Sequence, residues 1–166
     1  MKKTEAFVRC AAVASVAILL GYIESLLPPI LPVAGIKIGL ANVAVVFAMY
    51  TLGNKSAWAV CLIKVFLCAV LFNGFTPFLY SFSGAVLSMA AQLAAKKTKM
   101  FSIIGVSAIG GLFHNAGQML CAWVIIGKGI AFYIPMLVFA GLMGGAITGF
   151  LAKLIIMKGG KAFGEK

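Results

Sequence analysis

Apolar residues run along this chain in six long segments, separated by short breaks that contain proline, glycine, asparagine or lysine. A helix needs about 20 residues to cross a bilayer, and backbone groups in lipid must be paired within their own segment. The pattern therefore predicts an all-α integral membrane protein, a bundle of six transmembrane helices forming a single domain over residues 1–166. The six predicted helices cover residues 6–27, 36–52, 56–72, 77–95, 101–126 and 130–157.

The composition supports a membrane protein. Hydrophobic residues make up 63% of the 166 residues and charged residues 10%, whereas soluble domains carry about 25% charged residues. Six spans use nearly the whole chain and leave no room for a soluble catalytic domain. The chain also lacks aspartate and the glycine-rich GxxxxGK[ST] loop that binds nucleotide phosphates. We therefore expect no enzymatic activity from this chain alone and no cofactor.

Lysine and arginine (14 residues) far outnumber the three glutamates. In a six-span bundle, eleven of the basic residues fall on one side, and Lys128 and Lys37 on the other. Cytoplasmic loops are enriched in Lys and Arg. The bias predicts a multi-pass protein of a bacterial cytoplasmic membrane with both termini in the cytoplasm, and it explains the positive charge without nucleic acid.

Two lysines lie in apolar segments. Burying a charged side chain there costs free energy, so each lysine is expected to have a specific structural or functional role. Lys64 is near the middle of the third predicted helix, and Lys37 opens the second helix together with Asn42. One interpretation is that Lys37, Asn42 and Lys64 bind a small ligand with a negatively charged group. The alternatives are that Lys64 faces a water-filled cavity, that Lys64 or Lys37 pairs with Glu24, or that Lys37 anchors its helix at the membrane interface.

The densest polar cluster lies in the fifth predicted helix. His114 and Gln118 are four residues apart and share one helix face, with Asn115 beside them. We expect these three side chains to contact a ligand, although a packed and hydrogen-bonded histidine is the alternative. A metal site is not expected, because one histidine without a cluster of carboxylates or thiolates cannot fill a coordination shell. The four cysteines are expected to be free thiols.

Small residues on the first predicted helix recur every four positions, at Ala6, Cys10 and Ala14. Such a face lets another helix approach closely. The other helix belongs either to this chain or to a partner membrane subunit. The same alternatives apply to the face formed by Gly141, Gly145 and Gly149 in the sixth helix, for which packing within the chain is favoured.

Three motifs together resemble one family of membrane proteins, the Gx transporter family, also called heptaprenyl diphosphate synthase component I. The resemblance covers nearly the whole chain, and the His-Asn-x-x-Gln block is its most specific part. The motifs are Gly35-Ile36-Lys37-x-Gly39-Leu40-Ala41-Asn42, Ser81-x-x-Gly84-x-x-x-Ser88 and Gly111-x-x-His114-Asn115-x-Gly117-Gln118.

That family is in turn similar to the substrate-binding S components of energy-coupling-factor (ECF) vitamin importers. The resemblance implies a six-helix protein that captures a small vitamin-, flavin- or quinone/isoprenoid-precursor-like ligand under residues 28–35. It also implies a transmembrane coupling subunit and two ATPases as partners. By the same resemblance, Ala6, Cys10 and Ala14, or the offset pair Ala11 and Ser15, would face the coupling subunit.

The family's second label indicates an alternative function, a non-catalytic membrane subunit of heptaprenyl diphosphate synthesis. Known prenyl diphosphate synthases resemble soluble helical proteins with two Asp-rich motifs, and this chain has no aspartate. A third hypothesis is a structural or assembly protein without a ligand. It predicts an occluded bundle with no polar cavity.

Overall fold

The structure, a computed structural model, describes residues 3–26, 39–127 and 132–159. In these ranges the chain forms six α-helices and no β-strand, which confirms the predicted all-α class. A π-helical turn, Ala69–Asn73, extends the third helix. The helices are α1 (Lys3–Leu26), α2 (Leu40–Thr51), α3 (Asn54–Cys68), α4 (Phe75–Thr98), α5 (Ile103–Ile126) and α6 (Ile134–Gly159).

Among the described residues, four helical stretches are long and apolar enough to cross a membrane. This supports a multi-pass membrane protein, while the six-span count stays a prediction. α5 is also 24 residues long, but it carries the polar cluster around His114. The four stretches are Lys3–Leu26, Asn54–Phe72, Phe75–Thr98 and Ile134–Gly159.

Two helix boundaries differ from the prediction for local reasons. α2 begins at Leu40 because Gly39, with φ 85°, has the left-handed conformation that glycine adopts at no steric cost. α4 continues to Thr98, three residues beyond the predicted end at residue 95, and the left-handed residue is Lys99. Residues 28–35, expected to cover the ligand, and Lys128 lie outside the described residues.

α5 packs between α4 and α6 along faces of glycine. A Cβ atom on Gly111 would lie 2.1 Å from the carbonyl oxygen of Gly141, and one on Gly149 would lie 2.8 Å from the Cα atom of Ile104. The backbones of α5 and α6 therefore touch directly, in antiparallel orientation. The small-residue face of α6 is used for packing within the chain, which was the favoured alternative.

On α1 the small residues divide between the interior and the surface. Ala14 is buried, and the Cys10 thiol lies 3.9 Å from the carbonyl oxygen of Ser56 on α3. Ala6 is half-buried, whereas Ala11 and Ser15 are exposed. Cys10 and Ala14 thus pack against this chain, and the offset pair lies on the outer surface.

α2 is the most enclosed helix, with eight of its twelve residues buried. Charged side chains from two other helices bind its two ends. The Glu24 carboxylate on α1 accepts hydrogen bonds from the backbone N–H groups of Gly39 and Leu40. The Lys96 ammonium on α4 donates to the carbonyl oxygen of Met49 at 2.5 Å. A negative group at the N-terminus and a positive one at the C-terminus both complement the helix dipole.

The alternating helices gather most of the positive charge at one end of the bundle, called the basic end below. Hydrogen bonds from Cys10 to Ser56 and from Lys96 to Asn54 place these four residues at that end. Of the nine basic residues in the described part of the chain, only Lys64 lies away from it. The other eight are Lys3, Arg9, Lys55, Lys96, Lys97, Lys99, Lys153 and Lys158.

Candidate functional site

A polar pocket lies inside the bundle, between α2, α4, α5 and α6. Its cavity volume is about 40 Å³, its mouth is open, and half of its fourteen wall residues carry polar side chains. The other seven are five glycines, one alanine and one valine, and the glycines leave open space between the helices. The polar wall residues are Asn42, Ser88, Gln92, Ser107, His114, Asn115 and Thr148.

Asn42 lies in the first turn of α2 and is part of the wall. A hydrogen bond from Lys64 fixes the orientation of the Asn42 amide. The Lys64 side chain is 8% exposed, and its ammonium donates to Asn42 Oδ1 at 2.7 Å. Because an ammonium group has no acceptor, the carbonyl end of the amide must face Lys64. The two N–H donors of Asn42 are therefore turned away from Lys64.

Lys64 supports the wall without being one of its residues. Among the described residues it forms no ion pair with Glu24, whose carboxylate binds the start of α2 instead. The Lys64–Glu24 pair, one of the alternatives for Lys64, is therefore not formed in this part of the chain.

Asn115 on α5 has its amide oriented by α6. Its Nδ2 atom donates to the carbonyl oxygen of Leu137 at 2.7 Å. A carbonyl oxygen only accepts, so the amide orientation is defined and Asn115 Oδ1 is left as an acceptor.

His114 lies beside Asn115 and packs its ring against α4. The ring hydrogen-bonds to the backbone of Gly84, with its Nδ1–Cε1 edge nearest that glycine. The ring also lies within electrostatic range of the Lys64 ammonium. When Nδ1–H donates to a backbone carbonyl, Nε2 of the neutral imidazole is an acceptor.

The pocket thus brings together three of the six predicted ligand-binding residues, Asn42, His114 and Asn115. Gln118 is partly buried on α5, one turn beyond His114, and is not a wall residue. Lys37 lies outside the described residues. The role of all six in binding stays a prediction.

Sequence reasoning missed part of the wall. From the sequence, Gln92 is expected to join helices by a hydrogen bond, but its Nε2 atom donates at 2.9 Å to Ser88 Oγ of the same helix. Its Oε1 atom, however, is buried without a hydrogen-bond partner among the described residues. An unsatisfied buried acceptor costs about 1–3 kcal/mol. The one signal available in the sequence was the i, i+4 spacing of Ser88 and Gln92 in an apolar helix.

Ser107 and Thr148 complete the polar wall from α5 and α6. The Thr148 hydroxyl donates to the carbonyl oxygen of Gly39 at 3.4 Å, joining α6 to the start of α2. A single serine or threonine in a helix often bonds to its own backbone, so nothing in the sequence marked these two.

The wall offers hydrogen bonds rather than reactive groups. It contains no carboxylate and no thiol, and no three metal-binding side chains cluster anywhere in the described residues. The four cysteines are free, as predicted. This arrangement suits reversible binding of a small polar molecule.

Comparison with curated proteins and with solved structures found no match. One family matches, under the description heptaprenyl diphosphate synthase component I, over residues 13–155. That range contains every described wall residue of the pocket. The chain therefore belongs to the heptaprenyl diphosphate synthase component I family.

Proposed function

We propose that the chain is the substrate-binding membrane subunit of an ECF-type importer. The observation that carries this proposal is a pocket of about 40 Å³ between apolar helices, open on one side, in which half of the wall residues carry polar side chains. Burying polar groups in such a bundle is costly unless they are paired. A pocket that retains an unpaired buried acceptor and open space is therefore better explained by a ligand than by packing.

In this proposal Asn42, His114 and Asn115 bind the substrate directly, and Lys64 positions Asn42. The residues Lys37 and Gln118 complete the proposed site from outside the described wall. The ligand is a small molecule of the vitamin, flavin or quinone/isoprenoid-precursor type.

The proposed partners are a transmembrane coupling subunit and two ATPases, because the chain has no nucleotide-binding motif of its own. The exposed residues Ala11 and Ser15 on α1 are the proposed contact with the coupling subunit. The basic end of the bundle is proposed to face the cytoplasm of a bacterium, where positive loops are enriched.

Gentle purification from native membranes followed by native mass spectrometry tests the proposal. We expect a bound small molecule, together with a membrane subunit and ATPases. Ligand recovery should be lost in His114→Ala and kept in Ser83→Ala, because the Ser83 hydroxyl bonds to the backbone of Tyr80 outside the pocket wall. An empty protein without partners in several detergents would contradict the proposal.

The family description favours a second candidate, a non-catalytic membrane subunit of heptaprenyl diphosphate synthesis. The words "component I" imply at least one further component. This candidate predicts co-purification with a soluble, Asp-rich synthase and a change in prenyl chain length when the gene is deleted. Unchanged product length would remove it, and co-purifying ATPases would favour the importer.

A further inference from the structure

The orientations of the pocket amides define which hydrogen bonds a ligand must make. Lys64 fixes Asn42 with its N–H donors turned away from the ammonium, and Leu137 fixes Asn115 with Oδ1 as the acceptor. Both orientations follow from partners that only donate or only accept. One side of the pocket, on α2, therefore presents donors.

The part of the wall on α4 and α5 presents acceptors. Besides Asn115 Oδ1, it has the Nε2 atom of His114, whose other ring edge bonds to the backbone at Gly84. Gln92 adds Oε1, which has no partner in the described structure although the side chain is only 5% exposed. A buried acceptor without a partner needs a donor that the described residues do not supply.

The charged groups near the pocket already have hydrogen-bond partners within the protein. The start of α2 would attract an anion, but the Glu24 carboxylate occupies it. The Lys64 ammonium is separated from the pocket by Asn42. A carboxylate or phosphate in the pocket would bring only acceptors against Asn115 and Gln92, without a cation on the described wall.

We infer that Gln92 is a ligand-recognising residue, and that the group entering the pocket is an uncharged amide, lactam or ureide. Such a group carries N–H beside C=O, so its donors meet Gln92, His114 and Asn115 while its carbonyl meets Asn42. This inference rests on the proposed function and differs from the anionic ligand expected from the sequence.

The test uses the purified full chain in detergent and small-molecule extract from the cells that produce it. The extract is separated by anion exchange into an uncharged pool and an anionic pool, and thermal unfolding is measured with each. We expect the uncharged pool to raise Tm by several degrees and the anionic pool to leave it unchanged. Stabilisation by the anionic pool alone would overturn the inference and leave the proposed function standing, whereas no shift with either pool would overturn both.

Gln92→Met gives a second, independent readout. Without ligand, the variant should unfold at the same or a higher temperature than the wild type, because the substitution removes an unpaired acceptor. The stabilisation by the uncharged pool should fall at least severalfold. If Gln92 only joined helices, the empty variant would be less stable and its response to the pool would be unchanged. Ser83→Ala, which removes a hydroxyl on the same helix outside the wall, is the matched control.

Discussion

At the scale of single residues, the few ionised groups inside the bundle act on the backbone or on one neutral side chain. Glu24 binds the first two described backbone N–H groups of α2, and Lys64 binds the amide of Asn42. Neither forms an ion pair with the other in the described residues. Each of these two buried charged groups therefore has a hydrogen-bond partner within the protein. Removing either group or its partner should lower the free energy of unfolding.

Replacing Glu24 should weaken the attachment of α2 far more than replacing a surface glutamate. We expect Glu24→Gln to lower the free energy of unfolding by about 1–3 kcal/mol, because the hydrogen bonds to a buried carboxylate are charge-assisted. Glu5→Gln, which removes the exposed ion pair with Arg9, should cost only about 0.5 kcal/mol or less. Thermal unfolding in detergent compares the two. Equal losses would contradict the capping role of Glu24.

The pair formed by Asn42 and Lys64 predicts a non-additive result. Asn42→Leu should cost about 1.5–3 kcal/mol, since it leaves a buried ammonium without its acceptor. Adding Lys64→Met should recover most of that loss, because replacing both polar partners by apolar groups is nearly neutral. Unfolding temperatures of the two single variants and the double variant provide the measurement. A double variant no more stable than Asn42→Leu would show that Lys64 has another main partner.

At the scale of helices, glycine decides how closely α5 approaches its neighbours. Helix association in membranes depends on close packing of small residues, and α5 contacts α6 with backbone against backbone at Gly111 and Gly141. This contact also sets the width of the pocket, because both glycines belong to its wall.

Gly111→Ala should therefore separate α5 from α6. The added methyl group would lie 2.1 Å from the carbonyl oxygen of Gly141, and the helices must move to relieve the clash. We expect a loss of about 1–3 kcal/mol or more. Gly105→Ala on the same helix is the control: its nearest neighbour would be Phe101 Cβ at 3.4 Å, and alanine is the better helix former by about 1 kcal/mol. A similar loss in both variants would contradict the packing argument.

The helices differ in how far the sequence predicts them. α5 was expected at residues 101–126 and is found at Ile103–Ile126. The apolar pattern of this segment alone is sufficient to define both ends of the helix. α2 was expected to be longer, and its start depends on Gly39 and on Glu24, fifteen residues away along the chain. Hydropathy does not encode a contact between helices, so the beginning of α2 could not be read from its own segment.

The candidate site shows the same division. Asn42, His114 and Asn115 stood out because amide and imidazole groups are rare in apolar helices. Ser107 and Thr148 did not, since a hydroxyl is readily satisfied by its own helix. Gln92 was noticed but assigned to packing, because only the three-dimensional arrangement shows that its Oε1 atom has no partner.

At the scale of the whole molecule, the distribution of charge predicts an orientation in the membrane. The basic end carries eight lysine and arginine side chains from the described residues, and the opposite end of α4 begins with Phe75 and Thr76. The positive side of a membrane protein faces the cytoplasm.

Cysteine labelling in intact cells tests this orientation. In a chain whose four natural cysteines are replaced by serine or alanine, Thr76→Cys should react with a membrane-impermeant maleimide. Lys99→Cys should react only after the cells are permeabilised, because both residues are exposed but lie at opposite ends of α4. Labelling after permeabilisation controls for accessibility. The reverse pattern would place the basic end outside the cell.

The enclosed position of α2 has a consequence for biogenesis. With twelve residues, α2 is about 18 Å long and too short to span a hydrocarbon core of about 30 Å unaided. It leaves the ribosome well before α6, which supplies Thr148 and one side of the pocket. During synthesis α2 therefore lies beside α1 and α3 before it can contact α6. A molecule in the pocket would stabilise only those chains in which α6 has already been inserted.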